Sequence, residues 1–158
     1  ADNRIDRISS LACLADMLEK EDGERALTLN RQAIDLFRSL TNYQLDNNAK
    51  NFVSMAFEGI GKYYYAKGDK QRASSYFDEN LAMRLEVQNS SKSSEIDDDF
   101  LNNLANAYFL VGSVASKEDR RSYFEVGKSI LISICKKDPE NTMYLSNLKW
   151  VLDVLAHI

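Results

Sequence analysis

Proline is nearly missing from this chain, which has one, Pro139, among 158 residues. Glycine is sparse as well, with six. So little of the two residues that punctuate turns argues against a β-rich fold and against a disordered chain. No apolar run approaches the roughly 18 residues of a membrane helix, so no membrane span is expected. No Lys/Arg-rich block occurs, the formal net charge is −4 and the isoelectric point is about 5.1. Nucleic-acid binders carry a basic face, so no nucleic-acid partner is expected.

Chemistry-bearing patterns are equally scarce. His157 is the lone histidine. No Ser/His/Asp or Cys/His set can be assembled around it. Neither CxxC nor HExxH spacing appears, and no glycine-rich phosphate loop. The run Glu95-Ile96-Asp97-Asp98-Asp99 has the charge for calcium but lacks the glycine and terminal glutamate of an EF-hand. Carboxylates at a helix start need no metal, and capping is the reading adopted. The expectation is a chain that is not an enzyme and has no metal or cofactor.

Cys13 and Cys135 are the only cysteines. Each sits among apolar helical residues, Leu11 and Leu14 for the first, Leu131 and Ile134 for the second. They read as buried free thiols rather than a disulfide, which points to a reducing, cytoplasmic setting. The chain starts at Ala1 and stops at Ile158 inside an apolar period. It therefore reads as a fragment of a longer protein.

What the chain does have is helical periodicity. Ile5, Ile8, Leu11, Leu14 and Leu18 recur at helical spacing over residues 4–20. Asp22-Gly23 interrupts the pattern, and a second helix carries Ala26, Leu29, Ala33, Ile34 and Phe37. The polar stretch Asn42 to Asn48 reads as a connection. A third helix over 50–67 stops at Gly68-Asp69, and a fourth runs from Lys70 to about Val87 through Ala73, Phe77, Leu81 and Leu85. The polar segment 88–94 reads as flexible and protease-sensitive. Asp97 to Asp99 open a fifth helix ending near Gly112. Ser116 caps a sixth, with Glu118 and Asp119 in its first turn and Lys136-Lys137 at its end. Asp138-Pro139-Glu140 makes a turn, with Pro139 suited to the first position of a seventh helix over 140–158. No segment alternates at period two. The expectation is one all-α domain over residues 1–158. It holds hairpins at about 4–42, 50–88 and 97–137 and a last, unpaired helix.

The pattern Phe57, Ile60, Gly61, Tyr64 returns 44 residues later as Leu101, Leu104, Ala105, Tyr108, and again as Leu145, Leu148, Lys149, Leu152. Fixed-period self-similarity marks a repeat architecture. Residues Phe57 to Leu85 resemble a tetratricopeptide repeat (TPR) through Phe57, Ile60, Gly61, Tyr64, Gly68-Asp69, Ala73 and Phe77. Small residues at 61 and 73 let two helices approach while the large ones fill the flanks. The spacing exceeds the family's usual length of about 34. With Leu101-Asn102-Asn103-Leu104-Ala105-Asn106 it is similar to the long repeats of kinesin light chains and related bacterial signalling proteins. Lys149 stands where that pattern has a small residue.

The resemblance implies a right-handed superhelix of antiparallel helix hairpins, about seven helices in all. The first helix of each hairpin would line a concave groove. That face would carry Glu58, Lys62 and Tyr65 on the third helix, Asn102, Asn103, Asn106 and Phe109 on the fifth, and Asn147 and Trp150 on the seventh. An asparagine amide has two donors and an acceptor, enough to grip a peptide backbone. Asn103, Asn106 and Asn147 form a candidate ladder, and Tyr65, Phe109 and Trp150 form candidate side-chain pockets. The implied function is non-catalytic binding of a partner's peptide segment. The alternative is an intramolecular or homo-oligomeric scaffold segment of a larger regulatory protein. On the unpaired last helix, Val151, Leu155 and Ile158 are expected to expose apolar area and to promote self-association. Chaperone-tail binding is argued against, because Glu58, Asn102 and Asn103 replace basic positions of the carboxylate-gripping subclass.

Overall fold

The computed structural model describes residues 3–41 and 45–158. Residues 42–44 of the expected connection at 42–48 lie outside the described residues, and Asn47 and Asn48 already belong to the third helix. The chain is all-α, with seven α-helices, a single 3₁₀ turn at Ser93–Glu95 and no strand among the described residues. The helices are α1 (Arg4–Leu18), α2 (Gly23–Arg38), α3 (Asn47–Ala66), α4 (Lys70–Ser90), α5 (Asp98–Val114), α6 (Lys117–Lys137) and α7 (Thr142–Ala156). They group into two compact units, residues 1–91 and 92–158.

The helix starts follow from local chemistry. Asp22, Asp46, Asp69, Asp97, Ser116 and Asn141 each precede a helix and accept a hydrogen bond from the backbone N–H three residues on. Each satisfies one orphan donor of a helix's first turn. The α3–α4 turn does two jobs with two residues. Gly68 takes φ +81°, a conformation that costs a side chain dearly. Its N–H bonds the Tyr65 carbonyl at 3.0 Å, and the Asp69 N–H bonds that of Tyr64 at 2.9 Å. This closes α3 as a Schellman motif, and the Asp69 carboxylate then opens α4.

In the first unit, α1/α2 and α3/α4 form antiparallel hairpins. Lys50 at the start of α3 pairs with Glu86 late in α4 at 2.9 Å, and Asn47 donates to Ser91 at 2.8 Å. The core joins Ile8, Ala12, Leu27, Ala33, Ile34, Val53, Ala56, Phe57 and Ile60. The expected close approach of α3 and α4 is present. A Cβ built on Gly61 would lie 2.5 Å from the Phe77 ring, and Phe77 and Ala73 are fully buried. Tyr64, one of the large residues of the repeat pattern, is only half-buried. Its ring stacks on Tyr76 at 5.9 Å while its hydroxyl reaches outward to accept from Arg31.

In the second unit, Ala105, Phe109, Phe124, Leu131, Ile134, Cys135, Tyr144 and Val151 form the core. The α5–α6 contact uses glycine on both sides. Gly112 lies against Phe124, and Gly127 lies under Phe109 with no room for a Cβ. Gly112 was expected to end the helix, but it is buried inside α5, which runs on to Val114. The close contact pays no heed to turn propensity: a packed aromatic ring needs the space.

Several other expectations need correction. Cys13 is exposed, and only Cys135 is buried, where desolvation raises its thiol pKa. The buried stripe of α1 is Ile8, Ala12 and Ala15, which turns Cys13 and Leu14 outward. Residues 88–90 continue α4, and residues 93 and 94 belong to the 3₁₀ turn Ser93–Glu95. The α4 helix persists to Ser90, because the Ser90 and Ser91 hydroxyls bond both the Val87 carbonyl and Asn47. Pro139 sits in the turn ahead of α7 rather than at its first position, which Asn141 caps from outside.

The largest correction concerns the third copy of the repeat. Leu145 and Leu152 are 41% and 48% exposed, and Lys149 is exposed. Tyr144, Leu148 and Val151 face the core instead. In α3 the repeated stripe packs on the following helix, as Gly61 does on Phe77 of α4. Among the described residues, nothing covers the equivalent stripe of α7. Val151 is buried rather than exposed, because it faces the core of the second unit with Tyr144, and Leu155 packs partly against that core.

Candidate functional site

Three of the expected binding residues lie along α3. Lys62 Nζ and Glu58 Oε2 form an ion pair at 3.1 Å. Burial pulls the Lys62 pKa down, but the negative charges of Glu58, Glu19 and Asp16 outweigh it and leave the pKa raised. Lys62 is thus firmly cationic at neutral pH. Tyr65 is 45% exposed, its ring 6.4 Å from that of Phe77. The α3 face therefore offers a pre-paired charge couple beside an open aromatic edge.

Arg84 on α4 was not anticipated. It is 4% exposed, and its Nε donates to Asn80 Oδ1 at 3.0 Å. Burial pulls its pKa down, and the nearby charge of Glu58 pulls it up. The buried face of α4 holds Ala73, Phe77, Asn80, Leu81, Arg84 and Val87. The expected apolar stripe through Ala73, Phe77 and Leu81 is therefore buried, and the polar Asn80 and Arg84 beside it are buried as well.

The other six expected residues lie on α5 and α7, which run side by side in the same direction. Three contacts set their register. Tyr144 donates to Asp99 Oδ1 at 2.5 Å, Asn147 Nδ2 donates to Asn102 Oδ1 at 2.9 Å, and Trp150 lies 5.5 Å from Phe109. The Tyr144 pKa is pushed up to about 12, first by the hydrogen bond to Asp99 and then by burial.

These contacts rearrange the expected ladder. Asn102 is 3% exposed and spends its acceptor on Asn147, so it belongs to the packing and not to an open face. Asn147 donates to that pair rather than standing free beside Asn103. Asn103 is exposed and Asn106 half-buried. Phe109 is also not a pocket wall. It is 4% exposed, wedged over Gly127 and 6.0 Å from Phe124. Of the expected aromatics on α5 and α7, Trp150 is the one that offers surface. It rests on Phe109 and Phe124, yet 47% of it remains exposed.

No protein-family model and no curated protein matches this chain. The likeness to TPR repeats therefore rests on the residues already named, and function has to be argued from the chemistry of the faces themselves. Among the described residues, no three His, Cys, Asp or Glu side chains cluster so as to hold a metal ion. No helix among them is long and apolar enough to cross a membrane.

Sequence reasoning also missed a cleft of about 310 Å³ in the first unit, between α2 and α3 and reached by the end of α1. Lys62 stands at its edge and Asn30 and Gly59 line it. Asn30 falls in register with the buried Ala26, Ala33 and Ile34, and that register was the available signal.

Proposed function

We propose that this chain is a non-catalytic, TPR-like interaction module that binds an extended peptide segment of a partner protein. The observation that carries the reading is Trp150. An indole held on two buried rings has lost its conformational freedom before any ligand arrives, yet keeps about half its surface for contact. Rigid, part-exposed aromatics of this kind are favoured anchors at interfaces. Asn103 and Asn106 on the neighbouring α5 supply unspent amide donors and acceptors for a peptide backbone. The Asn102–Asn147 bond fixes the two helices on which these groups stand. In the other unit, Glu58, Lys62 and Tyr65 form a separate patch for charged or aromatic side chains. A reducing cytoplasmic setting is part of the reading and rests on the two unpaired thiols.

Peptides selected from a random display library test it. Replacing both Asn103 and Asn106 by alanine should weaken selected peptides about tenfold, the loss of roughly one hydrogen bond's net worth or slightly more. Unchanged affinity would refute the role of α5.

A homo-oligomeric scaffold is the second reading, and one observation favours it. Leu145, Leu152 and Ile158 expose apolar surface on or just beyond α7. A second copy packing on the same stripe would cover it symmetrically.

A further inference from the structure

The cleft between α2 and α3 has a feature that the peptide reading above does not use. Asn30 is 5% exposed, and among the described residues its side-chain amide has no hydrogen-bond partner. Neither of its polar atoms is sealed from solvent, so the amide opens on the cleft and can exchange water for a ligand group. The amide lies directly over Gly59, where any Cβ would strike the Asn30 nitrogen. Glycine at that position thus leaves Asn30 its place at the cleft floor.

The rest of the lining narrows the ligand. Lys62 and Lys67 bring two positive charges, and Glu19 and Glu24 bring two negative ones. Lys62 is already paired with Glu58, and Glu24 accepts from the Tyr63 hydroxyl. Lys67 lies over the Tyr63 ring, 5.4 Å from its centre. The opening is therefore charge-balanced, with most of its charges engaged, and favours neither an anion nor a cation. Ala26, Leu27 and Ala66 add apolar wall. A group that replaces water on both sides of the Asn30 amide offers an acceptor and a donor in one plane. A primary carboxamide on a short aliphatic stem does so.

We propose that this cleft is a carboxamide pocket that takes a glutamine side chain of a bound peptide, with Asn30 as the reading residue. For its biological meaning the proposal rests on the peptide-binding reading, which it deepens by naming a side chain. Its test does not depend on that reading. The probe is N-acetyl-glutamine-N-methylamide titrated into the isotope-labelled chain, with the Asn30 side-chain amide and the Gly59 N–H followed by NMR. Saturable shifts at both are expected. The capped glutamate analogue should bind about tenfold or more weaker, because its carboxylate would lose hydration beside Glu19 and Glu24 while Lys62 is already paired with Glu58. Asn30→Ala, confirmed folded by its backbone spectrum, should weaken the glutamine probe by about tenfold. Absence of shifts with the wild-type chain at the solubility limit of the probe would overturn the pocket. So would equal binding of capped glutamine, glutamate and leucine. Either failure leaves the Trp150 and Asn106 face untouched, because that face is probed by its own variants.

Discussion

The Tyr144 hydroxyl is one of three ties between α7 and α5. The Tyr144–Asp99 bond is short, and the ring above it is buried. Removing the hydroxyl with Tyr144→Phe should cost the second unit about 1–2 kcal/mol at neutral pH, measured by urea unfolding. The bond also sets an alkaline signature. The folded pKa of about 12 lies above the ordinary 10.0, so the folded state holds the proton more tightly. That contribution is fully present below pH 10.0 and is lost as pH rises towards about 12. In the phenylalanine variant, unfolding should lose this part of its pH dependence. A wild-type chain equally stable at both ends of that window would contradict the assignment.

At the scale of elements, two glycines decide how closely helices meet. Gly61 admits Phe77 in the first unit, and Gly127 admits Phe109 in the second. Gly127→Val should push α5 from α6 and destabilise the second unit by about 1–3 kcal/mol, despite valine's better helix propensity. A stabilised variant would show that the ring has room to move. Helix boundaries were largely legible in the sequence, because a cap such as Asp69 or Ser116 acts on a backbone N–H only three residues away. The glycine contact at 61 was legible through its partners Ala73 and Phe77. The contact at 127 was not, because α6 carries no alanine and Gly127 alone gives no pattern. The face of α7 was misjudged for a different reason. Two stripes, Leu145–Leu152 and Tyr144–Val151, are equally apolar, and only the neighbouring helices decide which is covered. The candidate site was read least well. Residue type marked Asn102 and Phe109 as ligand groups, but their burial came from tertiary neighbours that the local sequence does not encode.

At the scale of the whole molecule, the chain joins two compact helical units that carry polar, unspent groups and part-exposed aromatics, with a modest net charge of −4. Exposed leucines on α7 add a liability or a second use. Sedimentation velocity should show concentration-dependent dimers, abolished by the double change Leu145→Glu and Leu152→Glu, with the helical content kept. A wild-type monomer at high concentration would remove the scaffold reading. The peptide-binding reading has a more direct probe, because Trp150 is the sole tryptophan and reports only from its own face. Its fluorescence should be followed while a library-selected peptide is titrated in. A saturable blue shift, weakened together with affinity in the Asn103→Ala, Asn106→Ala variant, is the predicted result. A peptide that binds tightly and leaves the Trp150 emission unchanged would place the binding face elsewhere and contradict the account.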